Sequence, residues 1–186
     1  RKNNLNAVYL PFAVDKLDDF LNWIRKSKLT FYGFSVTMPY KKEMGKWRKS
    51  LSNELDKKFP VYNLFLPEKN EFFNTDVIAF QKAIRFLKIK KNENILILGS
   101  GDSAETALFA FKKFPLVYVS SRNENKGRKL SEKFGRNFIN QRELNSRKFD
   151  VIVNCTPLGM NNEDFLRITN LPLSAKIIDL PYGEEK

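Results

Sequence analysis

The sequence predicts an α/β fold built in two lobes, and three observations predict it. Residues 94–106 read N-I-L-I-L-G-S-G-D-S-A-E-T, a short apolar strand that runs into Gly99, Gly101 and Ala104 in G-x-G-x-x-A spacing and then into a helix. A second strand, 116–121, follows at the distance a βαβ unit needs. From there onward helix and strand alternate, which implies right-handed crossovers and a parallel sheet covered on both faces. The second lobe is therefore read as a Rossmann-type parallel-sheet domain over residues 78–186, preceded by a small α/β lobe over 1–77.

In the first lobe, 7–14 reads as a strand. Residues 15–28 place Leu17, Phe20, Leu21 and Ile24 at helical spacing behind an acidic first turn, and 31–38 reads as a strand stopped by Pro39. Short helices are expected at 41–47 and 50–58, and 61–66 with 71–73 as paired strands. A longer helix over 77–87 follows, with Thr75 or Asp76 suited to cap it. Polar residues 88–93 separate that helix from the glycine-rich unit, so it is expected to bridge the lobes. Beyond the glycine turn the pattern gives helices at 104–113 and 124–134 and strands at 116–121, 137–140, 150–155 and 176–180, with no internal repeat.

Glycines at the first turn of such a unit let the backbone approach a pyrophosphate, and the helix that follows offers unpaired N–H groups and a positive dipole end. Gly99, Gly101, Asp102, Ser103 and Ala104 are the candidate contacts. The spacing alone also suits an ordinary strand-to-helix turn; the strand before it and the helix after it favour a dinucleotide site. The second strand ends V-S-S-R-N-E-N-K, residues 119–126. A carboxylate there would suit the ribose 2′-OH of NAD, whereas a 2′-phosphate needs cationic donors. Ser121, Arg122 and Lys126, with Arg128 as a further charge, therefore point to NADP, against the plainer reading of a solvated helix start.

Composition narrows the classes. A hydrophobic content of 42% with 17 Phe supplies a core and excludes wholesale disorder. The net charge of +12 raises nucleic acid as a partner, but the lysines are scattered and no reader motif or long basic block is present, so none is expected. A single cysteine, Cys155, cannot form an internal disulfide. The absence of histidine leaves Lys, Asp, Glu or Tyr to move protons and removes the commonest metal ligand, so no metal site is expected. No run reaches membrane-spanning length and no signal-peptide pattern opens the chain, which fits a reducing cytoplasm. Arg1 in place of an initiator Met, and an end at Lys186 just after an apolar strand, read as a chain cut at both ends.

Four stretches occur in order: G-F-S-V-T-M-P-Y-K over 33–41, N-T-D over 74–76, the glycine turn, and N-C-T-P-L-G-M over 154–160. Together they resemble the shikimate dehydrogenase family, whose patterns are G-x-N-V-T-I-P-x-K, N-T-D, G-x-G-G-x-(A/S), N-R-T and N-x-T-P-x-G-M. Asp179-Leu180-Pro181-Tyr182 is similar to the family's D-x-x-Y, so the resemblance spans nearly the whole chain. It implies reversible, NADP-dependent reduction of 3-dehydroshikimate to shikimate, on the chorismate route to aromatic amino acids. The enzyme would be a monomer or homodimer acting on a small molecule, either free or as the dehydrogenase part of a bifunctional dehydroquinate dehydratase/shikimate dehydrogenase. By the same resemblance Lys41 and Asp76 are catalytic, and Thr37 and Asn63 hold substrate hydroxyls. Thr156 falls near the cofactor ribose and Gly159 with Met160 beside the nicotinamide, beyond the carboxyl ends of strands where open α/β sheets bind ligands.

The chemistry agrees. An alcohol carbon gives up hydride only as its O–H proton is taken, and without histidine a partly desolvated Lys41 oriented by Asp76 is a suitable base. On residue type alone, Lys41 beside Lys42 reads as a solvated lysine, Asp76 as a plain cap and Cys155 as a small apolar filler. Ser35, Tyr40 and Leu64 depart from the family's usual residues, and its S-x-S-x-x-x-H-N stretch and C-terminal glutamine helix have no counterpart here. Two other readings stay open: an NAD-using quinate/shikimate dehydrogenase, and a non-catalytic nucleotide- or RNA-binding module.

Overall fold

The computed structural model describes residues 6–37, 39–51, 61–159 and 174–180. In the first lobe α1 (Leu17–Lys26) buries Leu17 and Leu21, with Asp18 and Asp19 in its first turn and Arg25 and Lys26 in its last, each matched to the dipole end it occupies. Strands β1 (Phe34–Ser35), β2 (Leu64–Leu66) and β3 (Glu71–Phe73) form an antiparallel sheet in that order. Helix α2 (Lys41–Leu51) adds Met44 to a core of Leu17, Leu21, Tyr62 and Phe65. Phe65 stacks on Phe72 at 4.6 Å between ring centres and receives the edge of Trp47 at 5.3 Å. Such pairs add about 0.5–1.5 kcal/mol beyond the area they bury, which suits a lobe whose strands are too short for many ladder bonds.

Helix α3 (Thr75–Phe86) leads into the second lobe, which comprises β4 (Ile95–Leu98), α4 (Asp102–Ala110), β5 (Val117–Ser120), α5 (Glu124–Lys133), β6 (Asn137–Phe138), a 3₁₀ turn (Gln141–Ser146), β7 (Val151–Asn154) and β8 (Lys176–Asp179). All five strands are parallel in the order β6-β5-β4-β7-β8, the open doubly wound arrangement. The order in which strands are added across the sheet reverses between β4 and β7. Alternate residues serve opposite faces, as strand geometry requires. Ile95, Ile97, Val117, Val119, Val151 and Val153 pack with Ala104, Ala107, Leu108 and Phe111 of α4 and Leu130 of α5. Leu96, Leu98, Tyr118 and Ile152 pack with Ile139, Leu144 and Phe149 on the other side.

Helix α3 joins the lobes physically. Its first turn meets the first lobe, while Phe80 is buried in the same cluster as α4. Among the described residues the clusters share no member: the first lobe's reaches Phe72 and the second lobe's begins at Phe80.

Several expectations are corrected. Residues 7–14 form no strand; Val8 and Tyr9 are 84% and 81% exposed, and apolar content makes a strand only where a neighbour offers a ladder. Of the described residues 31–37 only Phe34–Ser35 is strand, with the Val36 N–H adding one bond beyond it. One helix, α2, runs from Lys41 to Leu51 in place of a break after 47, and 52–58 lies outside the described residues. The cap of α3 is Asn74, whose Oδ1 accepts from the Val77 N–H at 3.0 Å, one residue before the expected Thr75.

Gly127 sits in α5 where the helix touches the sheet. A Cβ there would collide with the Ser121 hydroxyl and lie 2.5 Å from Phe138 Cε2. Gly127→Ala is expected to cost about 1–3 kcal/mol through overpacking, despite the better helix propensity of alanine. Urea unfolding of the two proteins measures it, and an equal or higher midpoint for the alanine variant would contradict this packing.

Candidate active site

Residues 61–63 decide where the expected acid-base pair sits. The Tyr62 N–H donates to the Lys41 carbonyl at 3.1 Å, and the Val61 carbonyl accepts from Asn74 Nδ2 at 2.9 Å. The Asn63 side chain brackets Thr75, accepting its N–H at 2.8 Å and donating to its hydroxyl at 2.9 Å. One short segment thus holds the starts of both α2 and α3. In consequence Lys41 Nζ lies 3.1 Å from Asp76 Oδ2, although the two are 35 residues apart. Their side chains are 17% and 37% exposed, so a small molecule can reach the pair. Asp76 lies in the first turn of α3, where the dipole favours a carboxylate. Thr37 is exposed at the turn leading into α2, its carbonyl accepting from the Tyr40 N–H at 3.0 Å. Asn63, committed to Thr75, keeps one amide N–H for another acceptor.

The carboxyl edge of the parallel sheet forms the other half. Leu98 is in register with Ser120 and Asn154, and Asn154 with Asp179, so the loops beyond them leave side by side. Gly99 has φ 120°, and a Cβ on it would lie 3.0 Å from the Cys155 carbonyl oxygen; the two strand ends approach too closely for any side chain. Gly101 is different, because nothing lies within 4 Å of where its Cβ would be. It is the N-cap of α4 and brings no side chain to that end, so the first N–H groups of the helix remain available to an anion. Ala104 is buried beneath the turn and Ser103 is half-buried.

Arg122 and Lys126 are exposed past the end of β5 and form no ion pair among the described residues. Arg128 is engaged, 3.5 Å from Glu124 and over the Phe138 ring at 4.6 Å. Ser121 is buried, its hydroxyl donating to the Asn123 carbonyl at 2.7 Å, so it shapes the turn that presents Arg122. A glycine forced by the protein, a second glycine beside open space, an uncapped helix start and two exposed cations with no ion pair among the described residues fit a phosphorylated dinucleotide.

Beyond β7, Asn154 organises the loop. Its Nδ2 donates to the Leu158 carbonyl and to Asp179 Oδ1, both at 2.9 Å, while its Oδ1 accepts from the Thr156 hydroxyl at 2.6 Å and N–H at 3.1 Å. Thr156 Oγ1 also accepts from the Leu158 N–H at 3.2 Å. Gly159 is exposed with φ 101°, and Met160 lies outside the described residues. Burial pushes the Cys155 thiol well above the usual cysteine range, which keeps it protonated and unreactive.

The two halves meet at Lys42. Its Nζ is 2.7 Å from Asp102 Oδ1 and 3.3 Å from Glu105 Oε2, and the buried Glu105 also pairs with Lys133. Burial works against the Lys42 ammonium, but the Asp102 hydrogen bond and the charges of Glu105 and Asp102 outweigh it and hold the pKa above the ordinary lysine value. The Asp102 side chain is thus committed to Lys42, while its backbone N–H stands in the uncapped first turn of α4.

Comparison with known proteins agrees with this arrangement. Residues 1–57 match the family model described as the shikimate dehydrogenase substrate binding domain. The shikimate dehydrogenase (NADP(+)) of Clostridium botulinum is 30% identical over all of this chain and 75% of its own length. The chain belongs to the shikimate dehydrogenase family. The crystal structure of shikimate dehydrogenase from Aquifex aeolicus superposes with a TM-score of 0.72 at 26% identity, covering 94% of this chain and 76% of that one. That of the Thermus thermophilus enzyme, in complex with NADP(H) and shikimate, gives 0.70 at 21% identity over 90% and 64%, a likeness of fold. The chain therefore spans less than two thirds of the Thermus chain.

Sequence reasoning missed two residues of this shikimate dehydrogenase family site. Lys42 looked like any solvated lysine, because nothing local reveals a partner on another lobe. Asn154 stood inside a motif, but its central hydrogen-bonding role depends on Asp179 in a neighbouring strand. The glycines separate experimentally. Gly99→Ala should lower stability by about 1–3 kcal/mol, the cost of a strained backbone with a steric clash. Gly101→Ala should stay within about 1 kcal/mol of the parent. Thermal melts of both variants compare them, and equal losses would contradict the assignment.

Proposed function

We propose that the protein is an NADP-dependent oxidoreductase that interconverts 3-dehydroshikimate and shikimate. The observation that carries it is the 3.1 Å Lys41–Asp76 pair, reachable by a small molecule and joined through Lys42 to the glycine turn. The name shared by curated relatives such as that of Clostridium botulinum supports both substrate and cofactor. When bound, the nicotinamide cofactor supplies or accepts the hydride.

This chain's own residues handle the proton and the orientation. In the reducing direction the Lys41 ammonium donates a proton to the oxygen of the carbonyl being reduced; in the oxidising direction its neutral amine takes that proton back. Asp76 fixes the lysine and accepts a hydrogen bond from the same hydroxyl. Thr37 and the remaining N–H of Asn63 orient neighbouring hydroxyls. The backbone from Gly99 to Ala104, with Ser103, receives the pyrophosphate, and Arg122 with Lys126 binds the 2′-phosphate. Ser121 supports Arg122 through the turn, and Thr156 with Gly159 lines the nicotinamide end. The functional division falls at residues 77 and 78, with substrate on one side and nucleotide on the other. Among the described residues no helix is long and apolar enough to cross a membrane. A cytoplasmic monomer or homodimer that acts on small molecules and binds no nucleic acid completes the reading.

The test follows reduced nicotinamide by absorbance with shikimate and NADP. Lys41→Ala should lower kcat by roughly 10²–10⁴-fold, the usual worth of a positioned acid-base group. Its melting temperature should barely move, because a part-exposed ion pair contributes about 1 kcal/mol or less. An unchanged rate would exclude Lys41 as the proton carrier. For Arg122→Ser, kcat/KM with NADP should fall roughly 10–100-fold while that with NAD changes little, from the loss of a charge-assisted bond to phosphate. Equal losses with both nucleotides would count against Arg122 as the 2′-phosphate contact.

A further inference from the structure

Asp102 raises an electrostatic problem at the glycine turn. A carboxylate in the first turn of α4 suits an isolated helix, but it competes for the same dipole with an incoming phosphate and repels it. Its side chain is 19% exposed, so water and salt screen it only in part. The neighbouring carboxylate, Glu105, is already answered within the nucleotide lobe by Lys133. The cation on Asp102 comes from elsewhere: Lys42, at 2.7 Å, on the first turn of the helix that carries Lys41.

We infer that Lys42 is a positioning residue for the nucleotide, cancelling the Asp102 charge beside the phosphate-receiving end of α4 and tying that end to the helix of the proton carrier. The inference rests on the nucleotide reading given above. It makes NADP affinity depend on contact between the lobes, because the cancelling charge belongs to the substrate lobe. It also gives adjacent residues separate tasks, with Lys41 facing Asp76 and Lys42 facing Asp102. Lobes that part would leave the phosphate-facing turn with an uncompensated carboxylate, so the nucleotide itself favours the joined arrangement.

The experiment titrates NADP into the protein by calorimetry at low salt, with the melting curve of each variant recorded. Lys42→Met should weaken NADP about tenfold, the effect of one uncancelled charge near the phosphates in a partly screened site. Adding Asp102→Asn to that variant should bring the Kd back to within about threefold of the parent, which loss of a merely structural contact would not allow. Asp102→Asn alone should bind NADP at least as tightly as the parent, and Lys42→Arg should retain affinity. If Lys42→Met does not fold, these last two carry the test. A parental Kd in Lys42→Met, a double variant as weak as Lys42→Met, or weaker binding by Asp102→Asn alone would each overturn the inference. A parent protein that binds no NADP would remove the nucleotide reading and this inference together. A parent that binds it while Lys42→Met binds equally well would remove the inference alone.

Discussion

The Lys41–Asp76 pair depends on one short segment, residues 61–63, whose polar groups face two helix starts at once. Its register is set by neighbours on both sides, since the Asn63 carbonyl accepts from the Val36 N–H at 2.8 Å and the Asn63 N–H donates to the Phe73 carbonyl at 3.0 Å. Its anchorage is apolar: Val61, Tyr62 and Phe65 are buried in or beside the aromatic core. Hydrophobic burial therefore fixes the segment, backbone and amide hydrogen bonds transmit that position to α2 and α3, and the Lys41–Asp76 distance follows. A slip of one residue would turn Asn63 to the opposite face and release Thr75.

The nucleotide lobe solves a different problem. Its central strands are buried on both faces, which makes them continuous apolar runs and leaves the strand ends as the place where polar groups can meet a ligand. At the switch between β4 and β7 the strand ends crowd together at Gly99 and Cys155, while Gly101 lies beside open space. The same short sequence thus holds one glycine demanded by the fold and another that the fold does not demand. Spacing alone cannot separate the two roles, because both are simply glycine in the sequence.

That contrast explains what could be read in advance. The strands 95–98, 117–120 and 151–154 were legible because an apolar run bounded by turn residues has few other uses in a chain of this composition. The first lobe was harder: strands of two or three residues are too short to establish a period, and 7–14 had strand-like residues with no ladder partner among the described residues. Lys41 and Asp76 were found through ordered motifs; composition alone made them a surface lysine and a cap. Asn74 was passed over as a cap because Thr75 and Asp76 are equally good capping residues, and only the backbone turn distinguishes them. Lys42 acts through partners distant in sequence, as Asn154 does through Asp179, and no local pattern encodes such a meeting.

The contact between the lobes combines two kinds of interaction with different tolerances. Phe80 of α3 is packed in one cluster with the alanines of α4, and close packing of this kind fixes distance but loses its energy over a fraction of an ångström. The Lys42 bridge is longer-ranged and softer, since charges still attract when the lobes move slightly apart. The proposed reaction, with a proton moved at one lobe and a hydride at the other, calls on both properties: a packed helix that sets the approach, and a compliant attraction that tolerates small movements. Because α3 carries Asp76 at its start and Phe80 one turn later, the packed helix itself supplies one member of the Lys41–Asp76 pair. The compliant attraction lies a single residue from Lys41. Both contacts therefore adjoin the Lys41–Asp76 pair.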